Sequence, residues 1–99
     1  MKLGYIIASA EVIEARNPVG YLYREAPRDT LDSGWRVFAG TEGQEFADDP
    51  ANFAMYNAST VVAWHPDIVH LLAYEYPAAF ERERGSGRFV AVQGPSDAY

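Results

Sequence analysis

The stretch 20–46 constrains the fold of this chain more than any other part of it. Side chains alternate across a strand, so residues 19–25 set Val19, Tyr21 and Tyr23 on one face and Gly20, Leu22 and Arg24 on the other. The same rule divides residues 35–39, with Trp35 and Val37 on one face and Arg36 and Phe38 on the other. Residues 27–34 between them collect Pro, charges, Ser and Gly, the composition of an exposed loop joining two strands. Antiparallel pairing of these strands would gather Tyr21, Tyr23 and Trp35 into one aromatic patch.

The rest of the chain supplies short elements around this pair. Residues 3–8 are apolar on both faces and predict a central strand. Ser9 is placed to cap a short helix over 11–15 anchored by Val12 and Ile13. Residues 41–50 are acidic, with Glu42, Glu45 and Asp49 at helical spacing, and Pro50 ends them. A brief strand over 53–56 and a polar cluster at 57–60 follow. Pro66 then opens a helix to Tyr74, in which Ile68, Leu71 and Leu72 form an apolar stripe. Segments 78–83 and 88–92 flank an Arg84-Gly85-Ser86-Gly87 turn, a hairpin signal. These elements predict a single α+β domain over 1–93, with a frayed tail at 94–99. Its sheet is mostly antiparallel, with about five strands and roughly two or three short helices packed on one side.

Composition narrows the function classes. A length of 99 residues suits one domain, and 48% apolar with 14% aromatic content favours folding over disorder. The net charge of -6 repels phosphate backbones, so a nucleic-acid partner is not expected and a basic protein partner is. There is no cysteine, which removes disulfides, thiolate metal sites and cysteine nucleophiles. Residues 1–10 imitate a secretory signal but are too short for one, and no segment has the length of a membrane span. The expected compartment is the cytoplasm, with no membrane partner.

No catalytic constellation, metal site or cofactor-binding motif stands out. Glu42, Glu45, Asp48 and Asp49 could offer oxygen ligands to a hard cation, yet they lack calcium-loop spacing and read as a solvated acidic face. His65 and His70 are five apart, about 140° around a helix, and cannot share a metal from that helix. Ser33 sits in turn composition, not a nucleophile elbow. Arg24 with Glu25, and Asp32 with Arg36, are candidate cross-strand ion pairs. The competing reading makes Tyr21, Tyr23, Arg24, Trp35 and Arg36 a recognition patch, because Tyr, Trp and Arg dominate interface hot spots.

The run Tyr21-Leu22-Tyr23-Arg24-Glu25-Ala26-Pro27, the run Asp32-Ser33-Gly34-Trp35-Arg36-Val37-Phe38-Ala39-Gly40 and the later segments 57–72 and 78–83 carry a family likeness. Over residues 5–92 the chain resembles the bacterial immunity-protein-thirty-three-like domain, a family associated with polymorphic toxin systems. It departs from that pattern after the Trp-Arg strand, where members carry a denser acidic run than residues 41–45. The resemblance implies a non-enzymatic module that binds a cognate toxin and blocks it, and it brings no catalytic residues. The positions it carries over are Tyr21, Tyr23, Arg24, Glu25, Asp32, Gly34, Trp35, Arg36, Phe38 and Gly40. Of these, Tyr21, Tyr23, Arg24, Glu25, Asp32, Trp35 and Arg36, with the acidic Glu42, Glu45 and Asp49, are the expected contact residues for a basic toxin. The alternatives are a small metal-dependent hydrolase using the acidic cluster with His65 or His70, and a ligand-binding domain unrelated to toxins.

Overall fold

A computed structural model describes residues 4–94. Residues 95–99 of the expected tail at 94–99, and the start of the first strand at Leu3, lie outside the described residues. Six strands form one mixed sheet: β1 (Tyr5–Ser9), β2 (Tyr21–Arg24), β3 (Asp32–Phe38), β4 (Phe53–Asn57), β5 (Ala78–Arg82) and β6 (Phe89–Ala91). Their order across the sheet is β4-β1-β3-β2-β5-β6. The β1·β3 pair is parallel and every other pairing is antiparallel. β1 is therefore an interior strand, and β2 and β3 are the expected antiparallel neighbours.

The core lies against one face of this sheet. Ile6 and Ala8 of β1, Leu22 of β2, Trp35 and Val37 of β3 and Phe80 of β5 meet Val12 and Ile13 of α1 (Ala10–Ile13). Val19, just before β2, Val61 of α3 (Ala58–Trp64) and Ile68, Leu71 and Leu72 complete the cluster, so Val19 serves the core and not the face of Tyr21 and Tyr23 expected from alternation. Leu71 and Leu72 sit where the sequence stripe puts them, but Pro66–Leu71 is a 3-10 helix that stops short of Tyr74. The helix it follows, α3, begins in the 57–60 segment, whose composition predicts only a polar cap. Its N-cap residue Asn57 makes no side-chain cap bond. Ser9 does not cap α1 either, because its hydroxyl is donated to Glu42 instead.

Trp35 is the largest fully buried side chain. It stacks on Phe80 with ring centroids 6.5 Å apart, and its indole N–H donates to the Leu72 carbonyl at 3.2 Å. That bond satisfies the one polar atom the ring brings into the core.

The segment 32–34 is strand, not exposed loop: Asp32, Ser33 and Gly34 are all buried at the head of β3. The cause is a bulge. Tyr5 and Ile7 of β1 stand opposite Asp32 and Arg36 of β3, so a two-residue step along one strand matches a four-residue step along the other. In a regular strand, positions four apart lie about 13 Å from one another. The bulge draws Asp32 and Arg36 into a bidentate pair with both N–O distances at 2.8 Å. Gly34 makes this possible at φ +87°, where an added Cβ would meet the Glu25 carbonyl oxygen at 2.2 Å.

Candidate interaction face

Register decides which side chains share a face. Tyr21 pairs with Phe38 and with Glu81, and Tyr23 pairs with Arg36, so these point to one side of the sheet. Leu22 pairs with Val37, and Arg24 with Trp35, on the other side. The second set belongs to the core side beneath α1 and α3. The expected patch of Tyr21, Tyr23 and Trp35 is therefore split by the sheet itself, because Tyr23 and Trp35 stand out of register by one residue.

On the first side the sheet carries no helical layer among the described residues. Tyr21, Tyr23 and Phe38 form a triangle with ring centroids 5.8 to 5.9 Å apart. Phe53 adds an edge contact to Phe38 at 5.6 Å. Among the described residues only the short helix α2 (Gln44–Asp48) reaches this side, setting Phe46 edge-on against Phe53 at 5.9 Å. This makes α2 the exception to the expected packing of helices on one side. Met55, opposite Ile7, extends the face and is 62% exposed. We refer to this surface as the open face.

A buried charge network anchors it. Arg36, 4% exposed, pairs with Asp32 and donates from Nε to Glu25 at 2.7 Å. Asp32 also accepts the backbone N–H groups of Arg28 and Gly34. The Arg36 hydrogen bonds outweigh burial and hold the Asp32 carboxyl well below the usual carboxylate range. Burial alone would lower the Arg36 value, and the two carboxylates more than reverse that. The pair expected between Asp32 and Arg36 thus exists, but it is buried and runs along one strand. The pair expected between Arg24 and Glu25 does not form, since Glu25 turns to Arg36. Arg24 donates instead to the carbonyls of Ser33 at 2.9 Å and Tyr74 at 2.7 Å, tying the sheet to the segment before β5.

The acidic residues do not converge. Glu42 accepts the Ser9 hydroxyl at 2.6 Å and the N–H groups of Ala39 and Gly40 at 2.8 Å each. Burial would raise its pKa, but those hydrogen bonds lower it overall. Glu42 is thereby a clip that closes the end of β3 over β1. Asp48 accepts from Gln44, Asp49 accepts the Ala51 N–H at the start of a 3-10 turn, and Glu45 is exposed on α2. Among the described residues no group of three or more His, Asp or Glu side chains is placed to hold a metal. His65 is buried with its ring 2.9 Å from the Val12 carbonyl, and His70 lies exposed on the 3-10 helix. The hydrolase reading therefore finds Glu42 and His65 already engaged in holding separate parts of the fold together.

A family model for the Imm33 immunity protein domain matches residues 6–93. The chain belongs to the Imm33 family. No curated protein and no solved structure matches it. Of the carried-over motif residues in this Imm33 domain, Tyr21, Tyr23, Arg36 and Phe38 sit on the open face, whereas Arg24 and Trp35 serve the core side. Phe46, Phe53, Met55, Glu81 and Val90 join the open face without having been singled out from sequence. Phe53 and Met55 carry the period-two signal that could have marked them, and Val90 pairs with Glu81 across the hairpin.

Proposed function

We propose that this Imm33 domain acts as an immunity protein by binding a cognate toxin directly through the open face of its sheet. The observation that carries this reading is the contrast in cover: one face is roofed by α1, α3 and the 3-10 helix, while on the other, among the described residues, the rings of Tyr21, Tyr23, Phe38 and Phe53 stay half-buried beside the exposed Met55 and Val90. Aromatic residues at the centre of a patch are the usual anchors of protein interfaces. The net charge of -6 favours a toxin whose contact surface is basic, and steers its approach.

Co-expression with toxins encoded beside the gene tests the reading. The expected result is survival of cells carrying both genes and co-purification of the pair. Survival no better than with an empty vector, across every such toxin, would overturn it.

A further inference from the structure

At one end of the open face an open groove runs between α2 and the β5–β6 hairpin. Tyr21 and Phe38 form its floor, Ala47 of α2 stands on one side, and Glu81, Glu83 and Val90 stand on the other. Three carboxylates line the groove, and they differ in what they already hold. Glu42 is committed to Ser9 and two backbone N–H groups, and Glu83 accepts the Ser86 hydroxyl at 2.8 Å. Glu81 makes no ion pair among the described residues, although it stands directly across from Tyr21. Of the two arginines in the lining, Arg82 is spent on the carbonyls of Val19 and Gly87 and on Asp67. Arg84 sits exposed at the hairpin tip.

We propose that this groove takes an arginine side chain from a basic protein partner, its guanidinium lying against the Tyr21 and Phe38 rings and bonding the Glu81 carboxylate. The inference rests on the immunity reading for the identity of the partner but not for the chemistry of the groove. A guanidinium is planar, so it stacks on an aromatic face and still offers a paired set of N–H donors in its own plane. A carboxylate at the edge of an aromatic floor meets both preferences together. Burial, and after it the Glu81 charge, push the Tyr21 hydroxyl up, as expected of a ring that shares its surroundings with that carboxylate.

The test is a titration of the ¹⁵N-labelled protein with the peptide acetyl-Gly-Arg-Gly-amide, and with the same peptide carrying neutral citrulline in place of arginine. Saturable amide shifts are expected at Tyr21, Phe38, Glu81 and Val90. The citrulline peptide and the Glu81→Gln variant should each weaken binding about fivefold or more. Glu75→Gln, an exposed carboxylate elsewhere, should leave it unchanged. Shifts scattered over the acidic surface, equal binding of citrulline, or an indifferent Glu81→Gln would each overturn the proposal. The co-expression assay separates its failure from that of the immunity reading. Wild-type protection that Glu81→Gln and Tyr21→Ala both retain removes the groove and leaves immunity standing. Arginine binding in the groove without any protection by the wild type does the reverse.

Discussion

The two faces of the sheet are built from alternate residues of the same strands, yet they carry different burdens. Leu22, Arg24, Trp35 and Val37 face the helices and are committed to packing or to backbone carbonyls. Tyr21, Tyr23, Arg36 and Phe38 face the other way, where three aromatic rings rest on one another and, among the described residues, no helical layer covers them. Neighbours in sequence, such as Trp35 and Arg36, therefore serve different parts of the structure: Trp35 fills the core beneath the helices, and Arg36 joins the buried ion-pair network under the open face. The comparison predicts that substitutions on the core side cost stability and those at the exposed rim of the open face cost binding.

The largest effect should come from Trp35→Ala. It removes the biggest buried ring and its bond to Leu72, and should destabilise the domain by about 3–5 kcal/mol in urea unfolding. A loss under about 1 kcal/mol would mean the core can collapse around the gap, and the distinction between the faces would fail on its strongest residue.

Asp32→Asn comes next, and it asks whether the open face has a structural floor of its own. Removing one partner strands the buried Arg36 charge with only Glu25, which is half exposed, and should cost about 3 kcal/mol. The same pair sets an acid dependence. The Asp32 carboxyl titrates lower in the folded chain than in the unfolded one, so its contribution is complete above the unfolded value of about 3.9 and drains away as pH falls below it. Unfolding free energy measured from pH 6 downward should therefore drop below about pH 4 in the wild type, and the drop should be shallower in Asp32→Asn. An unchanged slope would place the acid sensitivity elsewhere.

Much of this was legible from sequence, and the misses share a cause. Alternation in residues 19–25 and 35–39 predicted β2 and β3 as paired strands, and the apolar stripe of Ile68, Leu71 and Leu72 was found on the core side. The relative register of β2 and β3 was not legible, because alternation divides each strand into two faces but does not say which face of one meets which face of the other. That one unknown put Trp35 in the wrong patch. The burial of 32–34 was hidden for a second reason. Asp-Ser-Gly is turn composition, and only a bulge brings positions 32 and 36 close enough for a bidentate pair. Glu42, Asp48 and Asp49 read as a cluster because they are close in the chain, whereas their hydrogen bonds send them to separate tasks.

Glu42→Gln should have a more modest effect, about 1–2 kcal/mol, through three weakened bonds that join Ser9, Ala39 and Gly40. Because the Glu42 carboxyl is also held below its usual value, the variant should lose part of the acid dependence along with the stability. Loss of both in the same proportion would confirm the clip, and loss of neither would make Glu42 a solvated surface carboxylate after all.

Met55→Ser should change stability least of all, by within about 0.5 kcal/mol, because a side chain 62% exposed gives up little burial. Its value lies in the second readout. If the open face is a docking surface, Met55 is an apolar group waiting for a partner, and the serine variant should weaken toxin protection while its urea midpoint stays at the wild-type value. A destabilisation above about 2 kcal/mol would instead show that Met55 supports the fold, and would move this edge of the open face into the structural half of the molecule. Unchanged stability with unchanged protection would confine the contact to the Tyr21 and Phe38 end, where the groove lies.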